Sequence, residues 1–139
     1  MFKIMEMFIE NESKYKFDET VDKLTESIVS IGWKVTHVHD LQETLHKNNF
    51  EVLPVKVLEL CKPAYSVKLL ESDNERLYSS LMPCRISVYE TSDGKTRISR
   101  MDSGKMAAQI GGVVNEVMQK AFADIENILT PFFRQNSQV

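Results

Sequence analysis

Apolar residues along this chain follow helical spacing in two segments. The first helix is predicted from four residues at three- and four-residue intervals: Val21, Leu24, Ile28 and Ile31. Asp18 suits the N-cap of this helix, and Gly32 suits its left-handed C-terminal end. The second helix is predicted over residues 106–129. Gly111 and Gly112 within it indicate either close helix packing or a helix that begins at this pair.

Alternating apolar and polar residues, many of them β-branched, predict strands in the rest of the chain. The first lies within residues 2–17, where Asn11-Glu12-Ser13 predicts a turn or bulge after the strand, and the others cover residues 33–40, 52–61, 84–91 and 96–101. The Asp-Gly pair at 93–94 predicts a hairpin between the last two. Short helices are predicted in the connections, over residues 41–47 after Asp40 as N-cap and over residues 64–71 after Pro63.

Size and charge limit the class of protein. A chain of 139 residues is typical of one globular domain, here residues 1–139. Its 17 basic and 20 acidic residues give a net charge of −3 without a basic cluster, which disfavours nucleic-acid binding. No apolar run approaches the roughly 18 residues of a membrane span. Two cysteines are too few for the disulfide framework of a small secreted domain, and Glu6 interrupts the apolar N-terminal stretch, so we expect a cytoplasmic protein.

Four segments of the sequence occur in a familiar order. They are SKYKFDETVDKLTESIVSIGWKV, HDLQETL, VKVLELCKPAYSVKLL and LMPCRISVYETSDGKTRIS. The most specific pieces are FDET at 17–20, CKP at 61–63 and PCR at 83–85. In order and spacing the chain resembles the bacterial and archaeal family called domain of unknown function 302, over roughly residues 6–106.

The resemblance implies a fold and an assembly. It implies an α+β fold in which an antiparallel sheet is backed by two main helices, in the order β-α-β-β-β-β-α with short extra helices in the connections. The C-terminal helix, residues 106–130, completes this core. The family often forms homodimers, and no general activity is established for it, so the resemblance implies no reaction.

The two cysteines lie at the ends of predicted strands. Cys61 is followed by Lys62 and the helix that begins at 63, and Cys84 is followed by Arg85. Neighbouring strands would bring both sulfurs together, and the two cations and the helix N-terminus are candidates to favour the thiolate. A reversible disulfide, a soft-metal site or a sulfur-carrying thiol would each use this pair. Alternatively, each cysteine is a small buried hydrophobic residue.

Methionine and histidine extend the set of candidate ligands. Met82 and Met101 flank the cysteine region, and two thiolates with thioethers suit Cu(I) better than a hard cation, although methionine is also a common core residue. His37 and His39 share one face of a strand, which suits a metal such as zinc if a nearby carboxylate adds a third ligand. Two histidines alone are an incomplete ligand set.

The absence of familiar catalytic motifs favours a binding domain over an enzyme. The sequence contains no serine-histidine-aspartate order and no glycine-rich phosphate loop. We therefore expect a domain that binds a small molecule or a soft metal, with Cys61 and Cys84 as its site. The alternatives are a thiol-dependent redox or sulfur-handling protein that uses Cys84 as nucleophile, and a non-catalytic structural dimer. The apolar C-terminal helix followed by Phe132 and Phe133 favours a homodimer.

Overall fold

A five-stranded antiparallel sheet organises residues 4–135, the part of the chain that the computed structural model describes. The strands are β1 Phe8–Glu12, β2 Lys34–Asp40, β3 Val55–Cys61, β4 Cys84–Glu90 and β5 Thr96–Met101. The helices are α1 Phe17–Ser30, α2 Leu41–His46, α3 Pro63–Leu70, α4 Ser103–Ile110 and α5 Gly112–Leu129. Short 3₁₀ segments lie at Ile4–Met7, Glu75–Leu81 and Thr130–Phe132.

The predicted α+β class is confirmed, and the strands differ in detail. The order across the sheet is β1-β5-β4-β3-β2, so the first strand lies beside the last. β3 begins at Val55 and not at 52, because residues 50–53 are exposed and Pro54 has no N–H to contribute to a ladder. Residues 2 and 3 of the predicted first strand, and both ends of the predicted domain 1–139, lie outside the described residues.

The core lies between one face of the sheet and the helices α1 and α5. Alternate residues of the central strands are fully buried there, namely Leu58, Leu60, Ile86, Val88 and Ile98. Helical residues at three- and four-residue spacing meet them, namely Leu24, Ile28, Ala121, Ile125, Ile128 and Leu129. The opposite face of the sheet carries the other alternating residues and is partly open to solvent. None of the helices described in residues 4–135 is long and apolar enough to cross a bilayer.

The ends of α1 and α2 test the predicted caps. Asp18 is not the N-cap of α1, which is Lys16; the aspartate lies in the first turn, where its charge is favourable beside the helix N-terminus. Ile31 follows the end of α1 and is exposed, so it does not extend the buried face. Gly32 has a φ of +87°, as a left-handed C-terminal residue requires. Asp40 caps α2 by accepting a hydrogen bond from the Glu43 N–H, as predicted.

The long C-terminal helix is divided into α4 and α5. Gly111 separates them with φ +77° and ψ −169°, a conformation that side chains with a Cβ rarely adopt. Of the two explanations for the glycine pair, the structure agrees with a helix that begins there. α4 starts further back than predicted, because Asp102 caps it by accepting a hydrogen bond from the Lys105 N–H.

The phenylalanines after α5 are covered by their own chain. Phe132 is buried and its ring meets the edge of Tyr15 at 5.8 Å between centroids. Phe133 packs against the core, with the guanidinium carbon of Arg100 at 5.0 Å from its ring centre. These contacts remove the argument that Phe132 and Phe133 await a second copy, so the homodimer stays a prediction without that support.

Candidate functional site

β4 and β5 diverge at one end of the sheet, and a cavity opens between them. Their pairing stops at Ile86 opposite Arg100, so Cys84, Arg85 and Met101 do not pair across this gap. The cavity has a volume of about 290 Å³. It is lined by apolar side chains from strands and helices, among them Phe8, Val57, Pro83, Met106, Met118 and Ile125. We call it the strand-end cavity.

Three serine hydroxyls supply polar groups to the strand-end cavity. Ser87 of β4 and Ser99 of β5 are directly opposite each other on the partly open face of the sheet, and Ser103 begins α4. Directly opposite residues of an antiparallel pair hold their Cβ atoms about 5 Å apart. Within the described chain, none of these hydroxyls has a protein hydrogen-bond partner. They are therefore available to a polar group of a ligand.

Arg100 lines the same cavity from the core side, and its charge is already compensated. The residue is only 4% exposed, and its guanidinium donates to both carboxylate oxygens of Glu126 on α5, at 2.7 and 2.6 Å. It also donates to the Asn11 side-chain oxygen at 2.7 Å and to the Ile9 carbonyl at 3.5 Å. Such a bidentate pair is a strong, oriented interaction. The inner wall is thus polar without an unpaired charge.

A second charged group joins Arg85, a lining residue of the cavity, to Glu59 and the predicted His39 outside the lining. Arg85 donates to Glu59 at 3.1 Å, and His39 lies 2.9 Å from the other oxygen of the same carboxylate. The hydrogen bond with His39 is the main cause that holds the pKa of Glu59 below its ordinary value. The ring centroids of His37 and His39 are 4.2 Å apart. The carboxylate of the neighbouring Asp40 caps α2. Among residues 4–135 there is no group of three or more His, Cys, Asp or Glu side chains able to hold a metal ion.

The predicted cysteines meet at a second, much smaller cavity of about 30 Å³, which we call the sulfur cavity. β3 and β4 are neighbours, and Cys84 is directly opposite Leu60, the residue before Cys61. Both cysteines line the sulfur cavity, as does the predicted Met82. The Cys61 sulfur lies 3.1 Å from the Ser66 hydroxyl. Strand pairing thus brings these three predicted residues to one cavity.

The pKa of Cys84 is raised, whereas a nucleophilic cysteine has a lowered pKa. Burial, and secondarily the neighbouring Cys61, raise the pKa of this thiol to about 11. The two predicted activating cations are bound elsewhere: Lys62 lies 3.9 Å from Asp124, and Arg85 binds Glu59. A reactive thiol needs a lowered pKa, so Cys84 is protonated at neutral pH and weakly nucleophilic.

The structure places one predicted ligand, Met101, apart from the other sulfur ligands, and it brings residues that were not predicted into the two cavities. Met101 lines only the strand-end cavity, whereas Cys84 lines both cavities. Met118 of α5, which was not among the predicted ligands, lines both as well. The serines and Arg100 were also missed. For Ser87 and Ser99 the signal was the alternation of small polar residues with buried ones on both arms of the hairpin, whereas no such signal marked Ser103 or Arg100.

Comparison with a solved structure supports the fold. The chain is similar to the crystal structure of an uncharacterized conserved protein DUF302 from Bacillus stearothermophilus, with a TM-score of 0.78 and 20% sequence identity. The match covers 89% of this chain and 96% of that chain. At this identity the likeness shows the fold alone. No curated protein matches this chain.

The family model confirms the resemblance seen in the sequence. The model described as Domain of unknown function DUF302 matches residues 9–131, which extends beyond the expected core and includes the C-terminal helix. That range contains every residue of both cavities except Phe8. The chain therefore belongs to the family Domain of unknown function DUF302.

Proposed function

We propose that this protein binds a small, uncharged and mainly apolar molecule in the strand-end cavity. The observation that carries the proposal is the cavity itself, about 290 Å³ in volume and lined mostly by apolar side chains, with three hydroxyls that have no partner within the described chain. Ligand sites typically combine an apolar wall with a few polar groups that fix orientation, in volumes from about 300 Å³ upward. This cavity suits a ligand at the small end of that range.

The charges around the cavity favour an uncharged ligand. Arg85 of the lining is bound by Glu59, and Arg100 at the inner wall is bound by both oxygens of Glu126. A carboxylate or phosphate would have to displace one of these carboxylates, and buried charges are costly to leave unpaired. Hydroxyl and carbonyl groups instead match the hydroxyls of Ser87 and other cavity serines.

Binding without turnover is the simplest role for these groups. Catalysis requires a nucleophile or a general base near the ligand. The lining contains the thiol of Cys84, whose pKa burial raises to about 11, and serine hydroxyls that have no general base hydrogen-bonded to them among the described residues. His39 is held by Glu59 outside the lining. These features support a carrier or sensor and oppose a thiol enzyme.

A fluorescent apolar amine, N-phenyl-1-naphthylamine, tests the proposal. We expect saturable 1:1 fluorescence enhancement with the native protein. Ser87→Phe places a ring in the cavity and should weaken binding by at least about tenfold, the effect of losing roughly 1.4 kcal/mol. Ser80→Phe is the matched control, because Ser80 is exposed and outside the lining, and it should bind as the native protein does. Circular dichroism confirms that both variants fold. Equal binding by the native protein and Ser87→Phe, or no saturable binding at all, would overturn the proposal.

We also propose that the chain forms a homodimer in the cytoplasm. Support for the dimer comes from large apolar side chains, 39–63% exposed, in and after α2: Leu41, Phe50, Val52 and Leu53. Such a concentration is typical of an interaction surface. Support for the compartment comes from Cys61 and Cys84, both free thiols, which a reducing environment preserves.

A further inference from the structure

We propose that the sulfur cavity is a site for one soft monovalent cation, Cu(I). Two thiolates, from Cys61 and Cys84, and two thioethers, from Met82 and Met118, would bind it. The four residues come from separate parts of the fold: the end of β3, the start of β4, the segment before β4, and α5. Folding therefore brings Cys61 and Met118, which are distant in the sequence from each other and from the Met82-Pro83-Cys84 segment, to the lining of one small cavity. This site adjoins the ligand site proposed for the strand-end cavity, with which it shares the lining residues Cys84 and Met118.

The size of the sulfur cavity suits an ion and excludes an organic ligand. Its volume of about 30 Å³ is close to the space of one water molecule in the liquid. The rest of the wall is largely apolar or aromatic, including Trp33, Leu60 and Tyr65. A hard cation that keeps bound water would find few oxygen ligands there. A bare ion held by sulfur matches both the volume and the wall.

Ligand chemistry favours Cu(I) over zinc. Zinc sites use four strong ligands from Cys, His, Asp and Glu, or three with a water. Within residues 4–135 no group of three such side chains is available, so the two cysteines are the strong ligands here. Thioethers add the further ligands that Cu(I) accepts and zinc does not favour. The His37 and His39 pair lies on another strand and does not line the sulfur cavity.

Charge and proton balance are consistent with such a site. On binding, the two S–H bonds of Cys61 and Cys84 break and two protons leave to solvent. Four copper–sulfur bonds form, two with these thiolates and two with the thioethers of Met82 and Met118, while copper keeps its oxidation state. The resulting centre carries one negative charge, and Lys62, which lies 3.9 Å from Asp124, is among the residues that line the same cavity.

Anaerobic titration of the reduced protein with Cu(I), in competition with bicinchoninate, tests this site. We expect one equivalent of bound copper and two protons released per ion. Loss of an outer-shell partner commonly lowers metal affinity by roughly 10–100-fold, so loss of a ligand in Cys61→Ser should lower it by at least that much. Cys61 is half-buried and the serine is nearly isosteric, so this variant should fold even where a substitution at Cys84 does not.

Two methionine variants separate a metal site from general packing. Met118→Leu should lower Cu(I) affinity by roughly tenfold. Met101→Leu is the matched control, because Met101 lines the strand-end cavity alone, and its affinity should equal that of the native protein. No competition with bicinchoninate, unchanged affinity in Cys61→Ser, equal losses in the two methionine variants, or equally tight binding of zinc would each overturn the proposal. Binding of N-phenyl-1-naphthylamine is measured separately, so either proposal can fail alone.

Discussion

Removal of Glu126 alone should destabilise this protein more than joint removal of Glu126 and the arginine that it binds. Arg100 is 4% exposed and donates twice to Glu126, so Glu126→Ala leaves a buried guanidinium without its counter-charge. Breaking a buried pair in this way costs about 3–5 kcal/mol, and the 28% exposure of the Glu126 side chain places the expected loss near the lower value. Arg100→Met combined with Glu126→Leu leaves no buried charge. It leaves Asn11 without its partner, at a cost of about 1–3 kcal/mol.

Urea unfolding measures these losses through the single, buried Trp33, which donates a hydrogen bond to Asp124 of α5. The expected order of unfolding free energy is native, double variant, Glu126→Ala. Glu51→Ala is the matched control, because Glu51 is 76% exposed and pairs only at the surface with His46; its unfolding midpoint should not change. A loss below about 1 kcal/mol for Glu126→Ala, or a double variant no more stable than Glu126→Ala, would refute the reasoning about a buried charge.

Three further outcomes are expected. Burial raises the pKa of Cys84 from 9.0 to about 11, so between these pH values the folded state keeps a proton that the unfolded chain releases. The stabilisation from this proton is complete below pH 9 and should be lost above pH 11. In urea unfolding the native protein should therefore lose roughly 3 kcal/mol over this range relative to Cys84→Ala. Gly111→Ala should cost about 1–3 kcal/mol, because φ +77° with ψ −169° is a backbone conformation that is essentially confined to glycine; an unchanged midpoint in thermal unfolding would contradict this. Phe50→Glu should convert the proposed dimer to monomer in sedimentation equilibrium, whereas Leu77→Glu, 72% exposed elsewhere, should not; a monomeric native protein would exclude the dimer.

Local signals in the sequence were sufficient for most of the fold. The Asp40 cap, the Pro63 helix start and the hairpin turn at 93–94 all depend on backbone geometry within a few residues, and the structure contains each of them. The position of β1 beside β5 depends on contacts between distant residues, which no local pattern encodes. The break at Gly111 was left between two explanations, because a glycine pair has the same local signature in both.

The candidate site was only partly visible for the same reason. Cys61 and Cys84 were paired by their positions at strand ends, and that inference needed only the adjacency of two strands. Met118 is buried at helical spacing, so nothing in the sequence distinguishes it from an ordinary core residue. The ion pair between Arg100 and Glu126 likewise joins β5 to α5, and α4 separates these two elements along the chain. Such contacts become evident only when the elements are packed.

The position of β1 has a consequence for synthesis on the ribosome. One edge of β1 pairs with β5. At and just after the end of β1, the chain also bonds to residues that follow α5: the Lys14 N–H donates to the Phe132 carbonyl, and the Arg134 N–H donates to the Glu12 carbonyl. β1 therefore leaves the ribosome long before either partner exists. An unpaired strand is a template for aggregation, so the nascent chain carries that exposed edge until nearly all of the domain has been translated.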